Sequence, residues 1–360
     1  MSRKLRMQTL IFSLIFSVAS MGIMLYYSAN KMIVIADVAQ DSVDTTDTDM
    51  SDTTSVTDTV ETDLPETDKS QLRMQQGSKS TNYLCIPLPE GFKAEQVTIE
   101  NYYMNKQIKI FLQDAPENFY VTNVISGNLD RITDGKVEYT EDGVWLYFDL
   151  NDVYENRSIL ENDFLYVEFV HPREIYDKIV VIDVGHGGED AGFTTETVCE
   201  KDIVLDIAQR LKAKLDETDI KVYYTRMDDS NPADEDRIYL ANVVKADMFI
   251  SIHTGYEEED TKLYGTKAYY NASFFIPGFG SVELADLMER EVVTNIRGKG
   301  LGLFAADEEC YILQSASVPA TVLNVGYLSN KQEAILLEKE DYRQRIADGI
   351  YNGIMKAYED

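Results

Sequence analysis

The chain has 360 residues, of which 44% are hydrophobic, and it carries a formal net charge of −30 at pH 7. This length and composition allow two modest domains with real cores beside non-globular segments. The acidity argues against a nucleic-acid-binding protein, because phosphate recognition needs clustered Lys and Arg, and no basic stripe follows the first six residues.

An uncharged apolar run from Met7 to Tyr27 follows the basic residues 1–6. At about 1.5 Å per residue such a run spans a bilayer core, and the positive flank predicts that residues 1–6 form a cytoplasmic stub. A cleaved secretory signal is the alternative, because the small residues "SVA" precede Ser20. The apolar run continues past that point, so we favour a transmembrane anchor. Either interpretation places the remaining chain outside the cytoplasm.

Residues 28–80 form an acidic linker rich in Ser, Thr and Asp. From about residue 37 this segment has almost no large apolar side chain and no hydrophobic periodicity. Like charges repel and no core can form, so we predict a disordered, extended tether. Such a tether would hold the folded part of the chain away from the membrane.

Short runs rich in aromatic and β-branched residues occupy residues 81–173. Examples are "IKIFLQ", "FYVTNVI" and "VWLYFDL", and turn signals such as "EDG" separate them. No stretch of helical period interrupts the series. We predict a small all-β domain, with a sandwich as the favoured architecture and without a catalytic cluster.

Strand and helix patterns alternate through residues 176–360. The near-continuous apolar run "KIVVID" is typical of a strand buried on both faces, and "EKDIVLDIAQRLKAKLDE" has apolar residues at helical spacing. The alternation continues through "DMFISIH", "GTKAYYN" and "ATVLNVGYL". It predicts an α/β domain, a mainly parallel sheet with helices on both faces, whose functional cleft lies at the carboxyl ends of the strands.

Two of the three histidines fall at strand ends of this predicted sheet. His186 follows the strand "KIVVID", His253 ends "DMFISIH", and Glu200 opens the first helix. Taken singly, each has an ordinary explanation: a turn residue, a hydrogen-bonded core residue, and an acidic group at a helix N-terminus. Taken together, two imidazoles and one carboxylate leave one position open for water, which suits a catalytic zinc. The glycines around His186 fit a tight turn better than any phosphate-binding motif.

The third histidine and the cysteines have structural interpretations. His171 precedes Pro172 in the connection between the two predicted domains. Cys85, Cys199 and Cys310 are far apart in the chain and form neither a metal knuckle nor a disulfide framework. One bridge could form if two of them meet in space, but buried free thiols are the favoured interpretation.

Seven segments between about residues 178 and 358 follow one another in a specific order: "VIDVGHGGEDAG", "EKDIVLDIAQRL", "VYYTR", "DRIYLAN", "ADMFISIH", "GTKAYY" and "VGYLSN". This series resembles that of zinc-dependent N-acetylmuramoyl-L-alanine amidases of the Amidase_3 type. The resemblance implies that His186, Glu200 and His253 bind Zn2+, which would polarise the scissile carbonyl and lower the pKa of a water ligand.

The same resemblance implies peptidoglycan as the substrate. The bond cleaved would join the lactyl group of N-acetylmuramic acid to L-alanine of the stem peptide. Residues 81–173 resemble, more weakly, the AMIN-type wall-binding domains that often precede such amidases. A form cleaved after the N-terminal segment would then be secreted to the cell wall. Nothing in the sequence specifies a protein activator.

One position departs from the chemistry of the family. The family's second glutamate, its general base, corresponds to Asn324 within "TVLNVGYLSN". An amide cannot accept a proton from water at neutral pH, and loss of a positioned base costs about 10²–10⁴-fold in rate. Val184 and Gly255 also depart from the family pattern, but these positions concern loop shape more than chemistry.

Three interpretations follow from Asn324. The chain could be a working amidase with a slow or displaced base, for which Glu196, Glu308 and Glu309 are candidates. It could be a zinc- and peptidoglycan-binding regulatory module without turnover, or a structural remnant. The complete set of three ligands argues against a remnant, and we adopt the amidase as the main hypothesis.

Overall fold

The computed structural model describes residues 34–37, 70–77, 82–273 and 275–359. The cytoplasmic stub at residues 1–6, the predicted anchor at residues 7–27 and most of the predicted tether lie outside these ranges. Within the described ranges, no helix is both long enough and apolar enough to cross a membrane.

The first folded unit is a β-sandwich. Its described strands and α-helical turn are β1 (Val34–Asp37), β2 (Met74–Gln76), β3 (Leu84–Pro87), β4 (Val97–Tyr102), β5 (Gln107–Gln113), α1 (Phe119–Thr122), β6 (Ile125–Gly127), β7 (Ile132–Thr140), β8 (Gly143–Leu150), β9 (Glu155–Glu161) and β10 (Phe164–Val170). One sheet has the order β1-β4-β5-β8-β7 and the other β2-β6-β3-β10-β9. Alternate residues of β8 are buried, including Leu146 and Phe148, as expected for a strand with one face on a core. The expected all-β architecture is therefore present.

The sandwich begins earlier in the chain than the predicted boundary at residue 81. Leu72 is buried in its core, and β2 pairs in parallel with β6. The four residues of β1 pair in parallel with β4. Strand pairing therefore draws parts of residues 28–80, which the composition assigns to the linker, into the two sheets. The sequence of β2, "MQQ", is mostly polar, so its backbone pairing leaves little trace in the hydrophobic pattern.

The run "FYVTNVI" is not one strand, contrary to the sequence-based expectation. Its first part forms the helical turn α1, and its last residue begins β6. Asn118 lies in the left-handed region at φ 66°, and the side chain of Asn123 donates a hydrogen bond to the carbonyl of Phe119 at 2.8 Å. Asparagine side chains offer such local alternatives to strand pairing, which explains the break in the strand.

The second unit is an α/β domain. Its elements are β11 (Ile179–Val184), α2 (Glu200–Leu215), β12 (Lys221–Tyr224), α3 (Asp234–Val243), β13 (Met248–Gly255), β14 (Thr266–Tyr270), α4 (Ser281–Ile296), β15 (Gly300–Ala305), α5 (Tyr311–Gln314), β16 (Ala320–Tyr327), α6 (Lys331–Leu337) and α7 (Glu340–Ala357). The sheet order is β12-β11-β13-β16-β14-β15. All neighbours run parallel except β14 and β16, so the sheet is mainly parallel, as the alternating pattern predicts.

Helices cover both faces of this sheet. The long helices α2 and α4 both pack on α7, and α3 contacts α5. Every residue of β11 is buried, in agreement with its apolar sequence. The strand β15 and the short helix α5 are additions to the predicted series, because the glycine-rich β15 sequence "GLGLFA" carries only a weak strand signal. The sheet thus presents the carboxyl ends of β11, β13 and β16 at one edge.

The two units are joined by a direct contact at β12. The ammonium group of Lys221 lies 3.0 Å from a carboxylate oxygen of Glu155, and both side chains are buried. The hydroxyl of Tyr103 donates a hydrogen bond to the carbonyl of Tyr224 at 3.0 Å. His171 lies in the connecting segment with its ring 5.0 Å from that of Tyr154, which agrees with a structural role for this histidine.

Candidate metal centre

Three side chains converge at the carboxyl edge of the sheet. The Nε2 atom of His186 lies 3.2 Å from Oε2 of Glu200, and the Nδ1 atom of His253 lies 3.1 Å from Oε1 of Glu200. The same two ring nitrogens are 3.2 Å apart. All the potential ligand atoms lie within 4.8 Å of one another, so this group could hold a metal ion. The structure thus brings together the three residues that the sequence singles out.

The parallel pairing of β11 with β13 explains why the histidines meet. Val184 is paired with Ile252, so the residues that follow on each strand emerge side by side. The chain then needs room to turn. A Cβ atom on Gly185 would lie 2.3 Å from the ring of His253, and one on Gly192 would lie 2.7 Å from both His186 and Glu200. These glycines are therefore required by the close approach of the ligand side chains.

Two of the converging groups, His186 and Glu200, are oriented by contacts outside the cluster. A carboxylate oxygen of Asp190 lies 2.7 Å from Nδ1 of His186, which directs Nε2 toward the other two residues. The backbone N–H groups of Phe193 and Thr254 donate to the two carboxylate oxygens of Glu200 at 3.0 and 2.7 Å. The Glu200 side chain is completely buried, whereas the rings of both histidines remain about one fifth exposed. The carboxylate side of the site is therefore buried and hydrogen-bonded, whereas the imidazole side is accessible to solvent.

The electrostatics of the cluster favour a charged carboxylate. Burial acts to raise the pKa of Glu200, but its contacts with His186 and His253 outweigh this and hold that pKa well below its usual range. Burial acts to lower the pKa of His186, but the carboxylates of Glu200 and Asp190 raise it above its ordinary value. These shifts favour a charged Glu200 carboxylate beside a protonated His186.

Two buried arginines hold the loop that carries His186. Arg226 donates to the backbone carbonyls of Val184 and Gly185 at 3.0 and 2.7 Å. Arg237 donates to the carbonyl of His186 at 2.9 Å and to the carboxylate of Asp183 at 2.9 Å. Burial lowers the pKa of Arg226 to about 10, so it remains cationic at neutral pH. Sequence reasoning missed these residues, although they lie within the segments "VYYTR" and "DRIYLAN".

The cluster lies in an open cleft of about 390 Å³. Asn324 lines this cleft from β16, where it is paired directly with His253 on β13. Of the three glutamates considered as displaced bases, Glu309 lines the cleft, and Glu196 and Glu308 do not. Asp234 at the start of α3 lines it as well, although the sequence did not single out this residue.

Asp234 is placed differently from the other carboxylates of the cleft. Its side chain is 61% exposed, and the nearest cationic atom is Nε of Arg237 at 3.9 Å. Partial burial raises the pKa of Asp234 and the charge of Asp183 adds to this effect, whereas Arg237 and His253 oppose it. A carboxylate with a raised pKa is a better proton acceptor than one locked in an ion pair.

Two further sequence features are explained by the structure. A Cβ atom on Gly255 would lie 2.7 Å from the ring of Tyr327, so the glycine makes room for this aromatic ring. The three cysteines are free thiols, as expected, but they are half-buried rather than buried, and Cys310 lines the cleft.

Known proteins resemble the α/β domain in sequence. The sequence profile of the N-acetylmuramoyl-L-alanine amidase family matches residues 180–356. An uncharacterized protein of Bacillus subtilis, YqiI, is 31% identical over 185 residues, which are 51% of this chain and 87% of that protein. The germination-specific N-acetylmuramoyl-L-alanine amidase of the same organism is 29% identical over 195 residues, covering 50% of this chain and 80% of the relative.

A solved structure is similar over the same half of the chain. The catalytic domain of CwlV, an N-acetylmuramoyl-L-alanine amidase from Bacillus (Paenibacillus) polymyxa var. colistinus, is 30% identical, with 51% of this chain and 98% of that domain covered at a TM-score of 0.47. The family profile and the relatives match the domain that contains the cluster of His186, Glu200 and His253. The chain belongs to the N-acetylmuramoyl-L-alanine amidase family.

Proposed function

We propose that this protein is a zinc-dependent hydrolase of peptidoglycan, which cleaves the amide bond between the lactyl group of N-acetylmuramic acid and L-alanine of the stem peptide. The observation that carries the proposal is the convergence of His186, Glu200 and His253 in an open cleft of an amidase-family domain. Peptidoglycan is a bulky substrate, and a cleft open to solvent suits it better than an enclosed cavity.

The donor set fits zinc. Two imidazole nitrogens and one carboxylate oxygen are the ligands of many catalytic zinc sites, which keep a further position open. The contact from Asp190 to Nδ1 of His186 is the kind of support that metal-binding histidines receive from neighbouring carboxylates. When bound, zinc would polarise the scissile carbonyl and make a water molecule more acidic.

The side chains of the cleft would perform the remaining tasks. Hydrolysis forms a C–O bond, breaks the C–N bond and transfers a proton from the attacking water to the departing amine of L-alanine. Asn324 cannot carry this proton, since an amide has no basic site at neutral pH. Asp234 and Glu309 are the two exposed carboxylates that line the cleft and are free of the metal cluster. Either carboxylate could hold the proton during the transfer, although neither occupies the position beside His253 that Asn324 takes.

A binding or regulatory module is the second candidate function. The specific observation in its favour is Asn324, which lies beside His253 where the family resemblance calls for a general base. Such a module would keep zinc and the muramyl peptide in the same cleft without cleaving it. Zinc binding is common to both proposals, whereas turnover distinguishes them.

The metal proposal predicts one zinc ion per chain. Equilibrium dialysis followed by metal analysis should give stoichiometric zinc for the natural chain and for His171→Ala, because His171 lies in the connecting segment. His186→Ala should lose stoichiometric binding, since it removes one of three ligands. Zinc affinity should fall as the pH decreases through the raised pKa of His186, because zinc must displace the proton from this imidazole. Unchanged stoichiometry in His186→Ala would rule out this ligand set.

The hydrolase proposal predicts the release of new amino groups of L-alanine from purified peptidoglycan. The zinc-loaded chain should release them faster than His253→Ala, which serves as the blank because it lacks a ligand but retains Asn324 and both carboxylates of the cleft. Release at the level of the blank would exclude turnover and favour the binding module.

We also propose that residues 7–27 anchor the protein in the cell membrane, with residues 1–6 in the cytoplasm and the folded units outside. The charge and apolar pattern of the N-terminus support this arrangement. Most of residues 28–69 would act as a spacer, and the sandwich would contact the wall as an AMIN-like domain. Cell fractionation tests the anchor: recovery of a soluble extracellular chain that begins near Ser20 would establish secretion instead.

A further inference from the structure

A row of paired residues leads from the metal cluster across the sheet. His253 on β13 is paired with Asn324 on β16, and Asn324 is paired in turn with Lys267 on β14. Directly paired residues of neighbouring strands have their side chains on the same face of a sheet, and the strands lie about 4.8 Å apart. The Cα atom of Lys267 is therefore about 10 Å from that of His253, on the same side of the sheet.

Two aromatic rings flank the ammonium group of Lys267. Its Nζ atom lies 4.1 Å from the centre of the Phe304 ring and 4.7 Å from the centre of the Tyr269 ring. Phe304 is 42% exposed, so the ammonium group is held near the surface by cation–π contacts. Among the described residues, no carboxylate lies within ion-pair distance of it. In a chain with a net charge of −30, a lysine held by rings alone retains its capacity to bind an anion.

The position of Lys267 matters because most of the charged side chains that line the neighbouring cleft are acidic. Four carboxylates line the cleft around the cluster, Asp183, Asp190, Asp234 and Glu309, and the arginine that also lines it, Arg237, is already paired with Asp183. An acidic ligand would be repelled there unless a cation offsets the field at one end. Lys267 is the last residue of the row that runs from His253 through Asn324. An acidic ligand that reaches from the metal cluster to Lys267 would therefore extend across the sheet toward β14.

We infer that Lys267, with Tyr269 and Phe304, forms a subsite for a carboxylate of the stem peptide. The inference rests on the proposed function, which places the scissile carbonyl at the metal cluster. An extended peptide advances about 3.3 Å per residue, so a span of about 10 Å covers two to three residues beyond the cleaved bond. The residue after L-alanine is a γ-linked glutamate with a free α-carboxylate, which falls within this span. The peptide would then lie toward β14, and the sugar on the opposite side of the cluster.

Two muramyl peptides that differ at one carboxyl group provide the test. In one ligand the α-carboxyl group of the γ-linked glutamate is free, and in the other it is amidated. Binding of each to the zinc-loaded full-length chain is measured by calorimetry, and the samples are checked for hydrolysis. Lys267→Met should weaken binding of the acidic ligand about 3–10-fold, as expected for a partly exposed charge-assisted contact. Binding of the amidated ligand should not change, and Lys267→Arg should retain the preference.

A control variant removes a lysine that makes a cation–π contact in the other unit. Lys109 in β5 has its Nζ atom 3.7 Å from the centre of the Tyr102 ring. Lys109→Met should leave binding of both ligands unchanged. Equal effects of Lys267→Met on the two ligands, or none on either, would overturn the carboxylate subsite and leave the amidase proposal intact. Failure of the natural chain to bind either ligand would overturn both proposals.

Discussion

Replacement of Asn324 by glutamate should increase the rate of peptidoglycan hydrolysis by about 10²–10⁴-fold, the usual contribution of a positioned general base. Asn324 already lines the cleft and is paired with His253, so a carboxylate at this position enters the site without a change of backbone. The measurement is the release of L-alanine amino groups by the zinc-loaded chain. The rate of Asn324→Glu is compared with that of the natural sequence under the same conditions.

Asn324→Gln is the matched control for this increase. Glutamine has the shape of glutamate but no proton acceptor, so a gain confined to Asn324→Glu identifies base catalysis rather than altered packing. Zinc stoichiometry should be equal in all three chains. A rate for Asn324→Glu no higher than that of Asn324→Gln would contradict the assignment of this position.

The natural chain provides a complementary test of the displaced base. If a carboxylate elsewhere in the cleft performs the task that Asn324 cannot, Asp234→Asn or Glu309→Gln should reduce the rate of peptidoglycan hydrolysis by the natural chain. These two are the exposed carboxylates of the cleft outside the cluster. In the Asn324→Glu background the same substitutions should have little effect. A residual rate that survives both changes would exclude them as proton acceptors.

The part of the site that sequence reasoning predicts is the part governed by local pattern. β11 reads as a buried strand because all of its residues are apolar or paired, and a parallel sheet brings the carboxyl ends of its strands to one edge. His186 follows β11 and His253 lies near the carboxyl end of β13, so their proximity could be expected without a structure. Glu200 joins them because its helix begins where the loop after β11 ends.

The parts that sequence reasoning missed depend on contacts between distant segments. Arg237 occupies the buried face of α3, yet a charged residue normally indicates the solvent face of a helix. Its burial is possible only because Asp183, 54 residues earlier, lies opposite it. The same applies to β2, whose polar sequence joins the sandwich through backbone pairing with β6 rather than through hydrophobic periodicity.

The ion pair of Asp183 and Arg237 should have the largest effect on stability among the contacts of the site. Both side chains are buried, with 0% and 2% exposure, and their closest atoms are 2.9 Å apart. Removal of one partner of a buried pair costs about 3–5 kcal/mol, because the other charge is left in the interior. Arg237→Met should therefore lower the free energy of unfolding at pH 7 by about this amount, as measured by urea denaturation.

Two comparisons separate this effect from simple loss of a charged side chain. Arg290→Met breaks a surface pair with Asp286, in which the side chains are 59% and 57% exposed, and it should cost less than about 1 kcal/mol. The double variant Asp183→Asn/Arg237→Met should be less destabilised than the sum of its single variants, because neither buried charge then remains. Additive costs would contradict direct coupling of the two residues.

The pair also predicts how stability depends on pH. Burial alone would raise the pKa of Asp183, but Arg237 and hydrogen bonds from Ser251 and Thr225 lower it below its ordinary value. A carboxyl group with a depressed pKa in the folded state stabilises the fold above its unfolded pKa of about 3.9, and this contribution is lost as the pH falls further. The difference in stability between the natural chain and Arg237→Met should therefore be largest near pH 7 and should narrow as the pH falls through the depressed pKa of Asp183 in the natural chain, below about pH 4. A difference that stays the same in acid would show that Arg237 stabilises the loop through its backbone contacts to Val184 and His186 rather than through the charge of Asp183.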